Sequence, residues 1–77
     1  ELLTYRLDNK LAYVPASQNY DEALAHASAA FPSLSTIPPA RLSLNVPGRS
    51  ALVRVAPAAW PAVLRDLAKY EIVVLEI

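Results

Sequence analysis

The sequence predicts a small α+β domain of five strands and two helices, with both helices on one face of a mixed sheet. Three observations lead there. A chain of 77 residues buries only about 60% of its unfolded surface, which suffices for one core. Apolar residues alternate with a period of two in four stretches and recur at helical spacing in two others. Finally, WPAVLRDLAKYEIVVLEI passes from an amphipathic helix into Ile72 to Ile77, a run that only Glu76 interrupts. Such a run is most easily buried in the middle of a sheet.

Composition narrows the function. With 55% hydrophobic and 18% charged residues the chain is globular. Seven basic and seven acidic residues cancel, so no global field draws it to nucleic acid or an anionic membrane, and electrostatic recognition must be local. The lack of cysteine excludes disulfides, thiolate catalysis and cysteine-based zinc sites. No apolar run approaches the roughly 20 residues of a membrane span, and the first residues lack the order of a signal peptide. Nothing argues for secretion, which favours the cytoplasm. A start at Glu1 and the absence of methionine suggest one domain, residues 1–77, cut from a longer protein.

Leu2 to Val14 holds two β-rich runs, LLTYRL and LAYV, around Asp8, Asn9 and Lys10. Asp and Asn tolerate turn conformations, so a hairpin is expected. Leu3, Tyr5 and Leu7 face inward and Arg6 outward. A two-residue loop would turn Ala12 and Val14 inward, a three-residue loop Leu11 and Tyr13; the residues leave both open. Pro15 ends the second strand, and Asn19 with Glu22 has capping-box spacing before a helix from Tyr20 to Ala30. Its stripe is Tyr20, Leu24, Ala27 and Phe31, with His26 on the opposite, solvated side. Pro32 stops it, and SLSTIPPA connects onward with Leu34 and Ile37 tucked beneath the domain.

Arg41 to Val46 and Ser50 to Ala56 then alternate as two strands joined at Pro47-Gly48, the signature of a type II turn. That loop would set Arg41 opposite Arg54 and Ser43 opposite Leu52. Leu42, Leu44, Val46, Ala51, Val53 and Val55 would form the inner face. Pro61 suits the first turn of the second helix. Trp60, Val63, Leu64, Leu67 and Tyr70 would share its buried face, running almost without a linker into the last strand.

The order β-β-α-β-β-α-β, with a central final strand, resembles the β-grasp fold of the ubiquitin-like superfamily. A full-length second helix resembles the PB1 domains more than ubiquitin. The resemblance implies strand order 2-1-5-3-4, the last strand parallel to the first. Were Leu2 to Val14 one bent strand, the order would be ferredoxin-like, implying a regulatory or small-molecule-binding domain; Asp8-Asn9-Lys10 favours the hairpin.

Catalysis is not expected, nor is any cofactor or metal. His26 is the only histidine, and one glycine excludes G-x-G-x-x-G and the P-loop. Ubiquitin-type modifiers end in Gly-Gly, whereas this sequence ends in Glu76-Ile77. Nucleic acid is not an expected partner, because only Tyr13, in one of its two registers, turns an aromatic outward from a strand. The remaining signal is a protein-binding face. On the β-grasp strand order Arg6, Arg41 and Arg54 would gather around Glu76 at one end of the open sheet face, with Val74 beside them. Glu76 either neutralises that face or leaves surplus positive charge for an acidic partner segment. Basic-type PB1 domains carry a basic residue, usually lysine, on the first strand, where Arg6 stands, and bind the acidic loop of another PB1 domain. NVPGRSALVRV has no acid where that loop would fall, so the resemblance implies a basic-type member or a relative with another binding mode. Exposed Leu52 and free strand edges raise a homo-oligomer as a further arrangement.

Overall fold

A computed structural model describes all residues from Glu1 to Ile77. Strands β1 (Leu2–Leu7) and β2 (Lys10–Pro15) form the hairpin, followed by α1 (Tyr20–Ala30). Then come β3 (Ser43–Pro47), β4 (Leu52–Val55), α2 (Trp60–Asp66) and β5 (Ile72–Glu76). The sheet order is β2-β1-β5-β3-β4, with β5 parallel to β1 and antiparallel to β3. This is a β-grasp arrangement, and both helices lie on one face of the sheet.

The hairpin settles the question that the residues left open. Leu7 pairs with Lys10 across a two-residue loop, so Tyr5 faces Ala12 and Leu3 faces Val14. Asp8 holds the turn at φ 54°, a left-handed conformation that a short polar side chain tolerates. Leu11 and Tyr13 therefore point away from the core. The same pairing rules out the ferredoxin-like order, which needs Leu2 to Val14 as one strand.

The core lies between the sheet and the helices. Tyr5, Leu44 and Val73 from the three middle strands are fully buried with Trp60 and Leu34. Helix α1 contributes Ala23, Leu24 and Ala27, and Phe31 follows it. Asn19 caps α1 as its spacing predicts, Oδ1 accepting from the Glu22 N–H at 3.0 Å. The return arm of the capping box is replaced by Ser17, whose hydroxyl donates to Glu22 Oε2 and accepts from the Asn19 N–H. His26 sits half-buried on the flank of α1. The connection to β3 is ordered by two 3₁₀ turns, Pro32–Leu34 and Pro39–Arg41, with Leu34 buried and Ile37 packed against the core.

Three expectations are corrected. Arg41 belongs to the second 3₁₀ turn, not to β3, because Pro38 and Pro39 fix a turn that continues through it. The β3–β4 register is displaced by four residues: Asn45 faces Arg54 and Pro47 faces Leu52. The loop runs from Gly48 to Ala51, closed by the Gly48 N–H donating to the Ala51 carbonyl at 2.8 Å. Gly48 has no positive φ, so the turn is not type II. A shift of an even number preserves the pleat, which is why Leu42, Leu44, Val46 and Val55 still face inward, while Val53 near the end of the edge strand stays exposed.

Lastly, α2 has only seven residues, not the length expected of it. Leu67 turns extended at its C-cap. The Ala68 N–H donates to Glu71 Oε1 at 2.8 Å and the Glu71 N–H to the Ala68 carbonyl at 3.0 Å. That closed turn takes Tyr70 off the helix.

Candidate functional site

The face of the sheet that the helices leave open carries the candidate site. Its residues follow from strand register. Across one row run Leu11, Arg6, Val74, Asn45 and Arg54; across the next lie Tyr13, Thr4 and Ile72. Continuing the β3–β5 register places Pro47, and hence Leu52, at the far end of that second row.

At the β2 end, four large apolar side chains are exposed together: Leu11 at 61%, Tyr13 at 68%, Tyr70 at 46% and Ile72 at 39%. The Tyr13 and Tyr70 rings meet with centroids 5.1 Å apart, tilted by 48°, a geometry aromatic pairs favour. Lys69 Nζ lies 5.2 Å from the centre of the Tyr70 ring, within cation–π range. At ~150–250 Å² per tyrosine side chain, the two exposed rings leave roughly 170–290 Å² open. Leu11 and Ile72 extend the patch into the ~300–600 Å² of the largest patches on monomeric proteins, which are often functional.

Thr4 explains how Tyr70 comes to be there. It sits between Tyr13 and Ile72, with side chain too short to separate the rings. Its hydroxyl donates to the Tyr70 carbonyl at 2.8 Å, and the Tyr70 N–H donates to the Leu2 carbonyl at 2.9 Å. Both backbone groups of Tyr70 are thus tied to β1, and Tyr70 adopts φ 66°, a conformation uncommon for a bulky residue. One depression is lined by Thr4, Leu11 and Ile72 together with the two tyrosines.

The anticipated arginine cluster is dispersed. Arg6 stands on the open face between Leu11 and Val74, adjoining the aromatic patch. Arg54 faces Asn45 on the sheet margin and borders a depression with Asp21 and Tyr20 on the helix side. Arg41 is off the sheet. Glu76 faces Ser43, whose hydroxyl donates to the Glu76 carbonyl at 3.4 Å, and it is diagonal to Arg6. Val74 shares the open face but is only 6% exposed, flanked by Arg6 and by Asn45, whose Nδ2 donates to the Val74 carbonyl at 3.1 Å. Val74 supports the face from below, and Ile72 supplies its accessible apolar surface. Leu52 is exposed beside Pro47 at the opposite edge.

Tyr70, Leu11 and Tyr13 were not anticipated as a group. Tyr13 depended on the hairpin register, and Tyr70 on a left-handed turn that its residue type does not suggest. No group of three or more His, Cys, Asp or Glu side chains is placed to hold a metal ion, and no helix is long and apolar enough to cross a membrane. Compared with known proteins, the chain matches no family model and no curated protein sequence.

Proposed function

We propose that this chain is a non-enzymatic protein–protein interaction domain, ubiquitin-like and comparable to a basic-type PB1 domain in the basic Arg6 on its first strand though not in its short second helix, that receives a partner segment on the open face of its sheet. The observation that supports this reading is the contiguous patch of Leu11, Tyr13, Tyr70 and Ile72. Exposed aromatic anchors beside a basic residue are the composition of binding hot spots. With Arg6 next to Leu11 and Lys69 over Tyr70, the favoured ligand presents an aliphatic or aromatic anchor flanked by carboxylates. A patch in which Leu11 and Ile72 stand beside the two rings, in a chain of zero net charge, suits a peptide better than a nucleic acid strand.

The test uses a fluorescein-labelled peptide of alternating leucine, tyrosine and glutamate, titrated by anisotropy at low and high salt. Tyr13→Ala weakens binding by about tenfold or more, the range of an aromatic hot spot. Arg6→Glu weakens it at low salt, with the difference shrinking as salt rises. Arg41→Glu, outside the face, leaves it unchanged. Affinity indifferent to both Tyr13→Ala and Arg6→Glu refutes the reading.

A further inference from the structure

We infer that strand β2 pairs with β2 of a second copy of this chain, antiparallel about a two-fold axis at Ala12, joining two sheets into one of ten strands. The inference starts from the hydrogen-bond parity of the hairpin. The Ala16 N–H donates to the Glu1 carbonyl at 3.0 Å, continuing the register in which Leu3 faces Val14 and Tyr5 faces Ala12. In an antiparallel ladder, hydrogen-bonded pairs alternate with pairs that are not. The pairs containing Ala12 and Val14 are therefore the bonded ones. The backbone groups of Leu11, Tyr13 and Pro15 point the other way, and β2 is the last strand on its side of the sheet.

Sheet edges in folded proteins are ordinarily guarded by charge, proline or brevity. The other edge obeys: β4 has four residues with Arg54 among them. Strand β2 carries its charge and its proline only at its ends, Lys10 and Pro15, and Leu11-Ala12-Tyr13-Val14 lies between them without either. The two residues with free backbone groups, Leu11 and Tyr13, are also among the most exposed apolar side chains of the molecule.

Three two-fold registers are open to this edge, and chemistry selects one. An axis at Tyr13 pairs Leu11 with Pro15, which has no N–H to give. An axis at Leu11 pairs Tyr13 with Asn9 of the hairpin turn. An axis at Ala12 pairs Leu11 with Tyr13 twice over, satisfying both N–H and both C=O groups on each strand. Each Leu side chain then lies beside a Tyr ring on the open face, a favourable cross-strand pair. Lys10 falls opposite Val14, so no like charges meet. The small Ala12 faces its own copy in a non-hydrogen-bonded pair, where Cα atoms approach to ~4.5 Å.

This inference stands on the β2 edge and does not depend on the peptide-binding reading. Sedimentation over a concentration series expects the mass to double. Tyr13→Pro removes an N–H that β1 does not use, so circular dichroism expects the fold retained and sedimentation expects a monomer. A second arm exploits the lack of cysteine. Ala12→Cys brings two thiols within disulfide reach across the axis, and mild oxidation expects a covalent dimer at least tenfold faster than with Ser50→Cys in the β3–β4 loop. A wild-type chain that stays monomeric at its highest soluble concentration overturns the pairing, and one that still binds the acidic peptide leaves the open-face reading intact. A dimer that survives Tyr13→Pro also overturns it, as does Ala12→Cys oxidising no faster than Ser50→Cys. If Tyr13→Pro unfolds, the cysteine comparison decides.

Discussion

Glycine and alanine should exchange their usual order of stability at position 70. Tyr70 holds φ 66° because its N–H is donated to Leu2 and its carbonyl accepts from Thr4. For any residue with a Cβ, the left-handed region costs about 1–2 kcal/mol. Tyr70→Ala loses the ring and keeps that strain; Tyr70→Gly loses both. Against this, glycine gives the unfolded chain more freedom, worth about 0.4–1 kcal/mol to alanine elsewhere. The balance leaves Tyr70→Gly more stable than Tyr70→Ala by roughly 0.5–1 kcal/mol. In a domain of this size that separates their melting temperatures by roughly 2–8 °C. Both variants lose the contact with Tyr13, so the comparison isolates backbone strain from aromatic packing. Thermal unfolding followed by far-UV circular dichroism measures it, with urea midpoints as a check. Tyr70→Ala melting at or above Tyr70→Gly refutes the reasoning, because it means the left-handed turn, and the ring placement it enforces, is not populated in solution.

Two further predictions concern the scaffold. Gly48 is required by space, not by φ: a Cβ there would lie 2.6 Å from Val53 Cγ2 and 2.9 Å from the Ala51 carbonyl oxygen. Gly48→Ala should therefore destabilise by about 1–3 kcal/mol through overpacking, read as a lower urea midpoint; an unchanged midpoint contradicts the four-residue loop. Tyr5 is fully buried with no partner for its hydroxyl, and burial, assisted by nearby Tyr20, pushes its pKa up to about 12. The folded state thus binds the phenolic proton more tightly than the unfolded chain, so the stabilisation is complete below pH ~10 and is lost between pH ~10 and ~12, on the order of 2–3 kcal/mol in all. Tyr5→Phe should remove that alkaline loss and equal or exceed the wild type at neutral pH. A wild-type and a Tyr5→Phe urea midpoint that fall in parallel above pH 10 refute this.

Legibility from the residues followed the range of the interactions involved. Strand alternation, the Asn19 cap and the prolines act within a few residues, and they locate all five strands and both helices. The final strand is central as its apolar run required, with Val73 and Leu75 in the core and Ile72 on the open face. Registers failed where one local signal was asked to decide a long-range pairing. Pro47-Gly48 carries a turn signal, yet the chain there must close a loop to Ala51 and place Val55 opposite Leu44. Burying Val55 in the core outweighs a turn preference at the sheet margin.

The same distinction explains why the arginines separated while an aromatic pair assembled. Whether Arg41 meets Arg54 depends on the register of a hairpin whose loop has four residues where Pro47-Gly48 predicts two and on where β3 begins, and two proline-driven turns set the latter. Whether Tyr13 meets Tyr70 depends on parity in the first hairpin and on the end of α2. Parity has only two values, and the two-residue loop at Asp8-Asn9 chose the one that turns Tyr13 outward. The end of α2 is decided by β1, since Thr4 and Leu2 hold Tyr70 by its backbone before β5 begins. A helix carried through Tyr70 would surrender both of those hydrogen bonds and the closed turn at Glu71, for one further turn of an exposed helix. Residues 66 positions apart in a chain of 77 thereby determine a local conformation, and with it the one patch of the open face where aromatic and aliphatic side chains stand together in water. A function carried by that patch resides in the pairing of β1 with β5, so Thr4→Val should disturb the Tyr13–Tyr70 contact without touching either ring. Ring-current shifts of the two tyrosines that are unchanged in Thr4→Val would break this link between the fold and the site.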